Sequence, residues 1–134
     1  MGIDVAKLLQ RAKRMMLACG STIPAAQNPG LYLGAVIGTL AKNGRDKLTF
    51  VVDKKLDTFG YWLEQLIAES TGKEGTGIVP IEGEPVGRAD AYGKDRLFAY
   101  VRLDGEKERA VEALGFDFLG LYRPSVILGN SNTP

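Results

Sequence analysis

"KLTFVVDKKLDTFGYWLEQLIAESTGKEGTGIVPI", Lys47 to Ile81, passes from one hydrophobic rhythm to another and back again. Its first six residues, KLTFVV, form a short apolar run suited to a buried strand. Asp57 or Thr58 can cap a helix, and beyond them Phe59, Trp62, Leu63, Leu66 and Ile67 recur at spacings of three and four, the period of an amphipathic helix. Gly72 is placed to end it. GIVPI, 77–81, reads as a second short strand, and Pro80 assigns it to an edge or strand end, since proline brings no N–H to a ladder.

Working back from this unit, Val5, Leu8, Leu9, Ala12, Met15, Met16 and Cys19 repeat at helical spacing, while Lys7, Arg11, Lys13 and Arg14 fall on other faces. That predicts an amphipathic helix capped by Asp4 and stopped at Gly20, with the Met and Cys stripe in the core. STIPAAQNPG is a loop, and its Asn28-Pro29 pair starts a second helix near Gly30 to Lys42. Gly30, Gly34 and Gly38 share one face of it, which predicts close backbone packing in a helix too short and too polar at its ends for a membrane pairing motif. Working forward, 82–95 is loop, RLFAYVRL is a strand, EKERAVEAL at 106–114 is a fourth helix, and FDFLGLY or SVIL supplies a last strand before a polar tail. Helices alternating with short, mostly apolar strands predict an α/β fold, a three-layer αβα sandwich with a mostly parallel sheet. Residues 1–134 read as a single domain, without repeat or linker.

Composition narrows the function. Seventeen basic and sixteen acidic side chains leave a net charge of +1, so no long-range field selects nucleic acid or an anionic membrane. No apolar run approaches a membrane span, and the N-terminus lacks a signal-peptide core. One cysteine, Cys19, makes no internal disulfide and fits a reducing, cytoplasmic setting. The chain holds no histidine. Histidine-based triads and metal sites are therefore excluded, and proton transfer falls to a carboxylate, Lys, Tyr or Cys.

Within the third helix, Gln65 and Glu69 are four apart, so they lie about 40° from each other at one border of the apolar stripe, close to Trp62. A carboxylate at such a border, partly withdrawn from water, becomes a better base. The next turn offers Ser70, Thr71, the backbone near Gly72, and Lys73, and ligands of open α/β sheets collect in the crevice beyond the strand ends. The segment TGKEGTG is not a phosphate-binding P-loop, because its glycines follow a helix and precede a strand, the reverse of that motif's order. Trp62 is assigned to the core by its spacing, Asn28 to a helix cap and Arg45 to Lys47 to a solvated lead-in.

The stretch FGYWLEQLIAESTGKEGTGIVPIEGEP resembles the C-terminal sugar-isomerase (SIS) subdomain of phosphoglucose isomerases, and most nearly the isomerase part of bacterial transaldolase/glucose-6-phosphate isomerase fusions. The likeness extends back through IPAAQNPGLYLGAVIGTLAKNGRDKLTF and forward through AYGKDRLFAYVRL, over about residues 2–113, with EQLIAESTGKEG its most specific segment. The resemblance implies an SIS-like fold and aldose-ketose isomerisation of glucose 6-phosphate and fructose 6-phosphate, part of glycolysis and gluconeogenesis. Glu69 would be the base, Gln65 a sugar-phosphate contact, and Ser70, Thr71, Gly72 and Lys73 the site floor. It implies no metal or organic cofactor, and a homodimer.

The sequence also departs from that pattern. The Ser/Thr-rich phosphate loops of a preceding subdomain, the ring-opening histidine and the lysine-bearing C-terminal segment have no counterpart in it, and 116–134 diverges. NPGLYLG stands where an arginine follows a glycine pair, so no arginine role carries over. The resemblance thus implies a fragment of a larger isomerase, with a missing N-terminal SIS subdomain or transaldolase half as its partner and little activity alone. The other reading is a non-catalytic sugar-phosphate-binding or regulatory SIS module.

Overall fold

In the computed structural model, residues 2–101 are described. The predicted fourth helix at 106–114, the last strand and the tail at 116–134 lie outside them. The described residues fall into two compact units, 2–37 and 38–101.

In the first unit, helix α1 spans Val5–Ala18, and the Asp4 carboxylate accepts the Lys7 N–H at 3.0 Å, as a cap should. Helix α2, Pro29–Lys42, begins in this unit. Asn28 caps it: Oδ1 accepts the Leu31 N–H at 2.9 Å, while Nδ2 donates to the Gly20 carbonyl at 3.3 Å. Asn28 is buried, and this use of both ends of its amide satisfies it. Cys19 Sγ would lie 3.0 Å from a Cβ at position 30, so Gly30 does pack closely. Gly34 and Gly38 do not, since no described atom comes within 4 Å of a Cβ built on either. The α1 stripe likewise departs from its predicted core position: Val5, Leu8, Leu9 and Met16 are exposed, and Met15 and Cys19 half-buried. The described part of this unit, one helix, a short turn and the start of another, holds too little surface to cover that side.

The second unit is built on a parallel sheet. Strands β1 (Lys47–Val52), β2 (Val79–Ile81) and β3 (Arg96–Val101) lie in the order β2-β1-β3. Lys47 pairs with Val79 on one side and with Arg96 on the other, and the β3 register runs to Val52 opposite Val101. Pro80 sits in an edge strand, as expected. Helix α3, Asp57–Thr71, joins β1 to β2. Its N-cap is Leu56, with Asp57 already helical and its carboxylate taking the Thr58 N–H. The fold is mixed α/β with parallel strands.

Alternation along β1 separates two faces. Leu48 and Phe50 are buried on the α3 side, where Gly60 brings the helix against Val52: a Cβ at position 60 would lie 3.5 Å from Val52 Cγ2 and nearer still to the Glu82 carboxylate. Thr49, also buried, faces the other way with its neighbours Arg96 and Phe98. The 82–95 connection covers that face. Arg96 donates from Nη1 to Thr49 Oγ1 at 2.7 Å and to Glu84 Oε2 at 3.0 Å. Its guanidinium also lies 5.2 Å from the centre of the Tyr92 ring, and Tyr92 meets Phe98 edge to face.

Candidate functional site on helix α3

The orientation of α3 decides what its side chains can do. Its buried side is defined by Gly60, with half-buried Leu63, Ile67 and Thr71 beside it. Taking about 100° per residue, that direction lies roughly 60° from the centre of the apolar stripe, between Phe59 and Leu63. Phe59, Trp62 and Leu66, placed in the core by spacing alone, are instead exposed. A three-stranded sheet meets only part of a wide apolar stripe, and a glycine marks that part, which a hydrophobic pattern does not register.

Gln65 and Glu69 therefore point outward. Their side chains meet, Gln65 Nε2 donating to Glu69 Oε1 at 3.2 Å. Both residues are exposed, so the expected partial desolvation of the Glu69 carboxylate is absent among the described residues. The hydrogen bond occupies one carboxylate oxygen and leaves Oε2 for another partner. The position of Glu69 in the sheet also differs from expectation. Helix α3 leaves the carboxyl end of β1 and returns to the start of β2, so Glu69 lies at the edge where strands begin, opposite the crevice beyond their carboxyl ends.

The residues after Glu69 form a tight reversal. Thr71 Oγ1 donates to the Ile67 carbonyl at 2.8 Å and accepts the Ile78 N–H at 3.0 Å, tying the helix end to β2. Its hydroxyl is thus committed to the backbone. Gly72 ends the helix, as its position predicts, with φ −73° and so without a left-handed turn. Its value is space, since a Cβ there would meet the Ala68 carbonyl at 2.8 Å. Lys73 Nζ donates to the Glu69 carbonyl at 3.2 Å, a favourable place for a cation at a helix C-terminus. Lys73 and Thr76 exchange two backbone hydrogen bonds of 2.9 Å around Glu74 and Gly75. Ser70 and Gly72 are exposed beside this turn.

At the same edge of the sheet, Lys47 and Asp95 form an ion pair at the starts of β1 and β3, with Asp46 3.6 Å from the lysine. The hydrogen bond between them raises the Lys47 ammonium above its ordinary value and holds the Asp95 carboxyl below its own. Among the described residues, no group of three or more Cys, Asp or Glu side chains is placed to hold a metal ion, and no helix is long and apolar enough to cross a membrane.

The chain as a whole has relatives among known enzymes. Over 112 residues, 83% of its length, the chain is 30% identical to a glucose-6-phosphate isomerase of Methanocaldococcus jannaschii. A second glucose-6-phosphate isomerase, from Parabacteroides distasonis, is 35% identical over 81 residues, 59% of the chain. At modest identity, over part of its length, the chain is homologous to glucose-6-phosphate isomerases. It spans 26% of the first relative and 18% of the second. No family model matches the chain, and no solved structure matches it.

Proposed function

We propose that the chain is the SIS-like, base-bearing part of a glucose-6-phosphate isomerase, with Glu69 as the proton shuttle. The observation that carries this reading is the Gln65–Glu69 pair on one helix face, in a chain homologous to two such isomerases. The reaction suits a single carboxylate. Glu69 Oε2 takes the proton from C2 of open-chain glucose 6-phosphate, and the C2–H electrons form the C1=C2 bond. The O1 carbonyl gains a proton, giving a cis-enediol. Return of the carboxyl proton to C1, with loss of the O2 proton, yields fructose 6-phosphate. Gln65 keeps the carboxylate in place, and the turn from Ser70 to Lys73 forms the floor below it.

The enediolate needs charge stabilisation and the phosphate needs a grip, and Lys73 spends its ammonium on a helix carbonyl. A second polypeptide region, either another SIS subdomain or the transaldolase half of a fusion, completes the site. Homodimerisation and a cytoplasmic setting belong to the same reading. The purified chain is expected to bind fructose 6-phosphate and turn over glucose 6-phosphate far more slowly than a whole isomerase. Turnover at a rate typical of whole enzymes would contradict the fragment reading. The competing reading, a non-catalytic sugar-phosphate module, draws on the exposure of Glu69. Calorimetric titration of wild type and Glu69→Gln separates the two when followed by deuterium wash-in to the sugar. A module binds and exchanges nothing, whereas the isomerase part exchanges slowly and loses that exchange in Glu69→Gln.

A further inference from the structure

Trp62 is the sole tryptophan of the chain, and 55% of it is exposed. The sheet takes Gly60, Leu63 and Ile67 from α3, leaving the indole on the outer side. It is held there: Phe59 stacks on it with ring centroids 5.3 Å apart and planes 25° from parallel. Trp62 and Glu69 are seven residues apart, so they lie within about 20° of each other around the helix and about 10.5 Å apart along it. Gln65 and Leu66 fill the turn between. A rigid aromatic surface, an amide and a carboxylate thus follow one another along a single strip, on a scale comparable to an open-chain hexose phosphate.

Sugars present two chemistries, hydroxyl edges that hydrogen-bond and CH faces that are apolar. A binding site for one combines an aromatic wall with a few convergent polar groups, and this strip carries both. We propose that Trp62 is a substrate-contacting residue: its indole face packs against the CH face of a hexose phosphate whose reacting carbons lie at Glu69. The inference rests on the isomerase reading of Glu69 and adds to it a residue and a mode of contact. It also accounts for an aromatic ring that the apolar spacing assigns to the core.

The sole tryptophan makes the proposal directly measurable on the full chain. Titration with fructose 6-phosphate should change Trp62 emission saturably, and inorganic phosphate at the same concentrations should leave it unchanged. By calorimetry, Trp62→Leu should weaken fructose 6-phosphate binding about three- to tenfold, with Trp62→Phe recovering most of the loss. Trp62 is exposed, so both variants should fold, as circular dichroism will check. Calorimetric binding with unchanged emission and an unchanged Kd in Trp62→Leu overturns the assignment and leaves the isomerase reading standing. An emission shift that follows protein concentration without ligand also overturns it, since a second copy would then cover the indole. If wild type binds no fructose 6-phosphate at all, the sugar-phosphate reading of Glu69 fails first and takes this one with it.

Discussion

Between Lys73 and Thr76 the chain turns back within two residues, and both adopt positive φ, 51° at Glu74 and 77° at Gly75. That pair of signs is the signature of a type I′ turn, which Asn-Gly satisfies best. Glycine adopts it freely, whereas a residue with a Cβ there costs about 1–2 kcal/mol. Gly75→Ala should therefore lower stability by about 1 kcal/mol, and Glu74→Asn should raise it by about 0.5 kcal/mol. Urea midpoints, with unchanged slope, will test both. TGKEGTG is legible in the sequence as a turn between helix and strand, but its type is not, because Glu-Gly is a weak signal beside Asn-Gly. Asn28 is the opposite case. Asn before Pro predicts a cap, and the cap is there.

Helix α3 shows how far periodicity reaches. Its existence follows from the spacing of Phe59 to Ile67, its stop from Gly72, and the pairing of Gln65 with Glu69 from four-residue separation, whereas its N-cap falls on Leu56 and not on Asp57 or Thr58. The direction in which it is buried does not follow. Apolar spacing states which side chains gain by leaving water, whereas Gly60, with no side chain to count, marks where the sheet approaches. One hydroxyl then fixes the far end of the helix to the next strand. Thr71→Val keeps the shape but removes both the donation to Ile67 and the acceptor for Ile78. It should cost about 1–2 kcal/mol, and a larger part of that loss should appear as faster amide exchange at Ile78 and in the 73–76 turn than in β1.

For the whole molecule, the sheet joins residues that the sequence holds far apart, and so its polar contacts are the least legible feature. Nothing in the spacing of Thr49, Glu84 and Arg96 predicts their meeting, since a parallel register creates it. The Lys47–Asp95 pair has the same origin, and it makes stability depend on pH in two places. Asp95 is lowered from 3.8, so its contribution is present above that value and lost as pH falls through the folded-state value. Lys47 is raised from 10.5, so its contribution is present below that value and lost as pH rises through the higher one. Asp95→Asn should flatten both limbs of a urea-midpoint profile while changing little near neutrality in their shape, and added salt should reduce the difference from wild type. The central strand carries a further consequence. Synthesis delivers β1 first, yet its partner β3 begins about fifty residues later. A growing chain therefore presents its most water-averse strand with both rims bare until the second half emerges from the ribosome, and that interval is when aggregation or chaperone capture competes with folding.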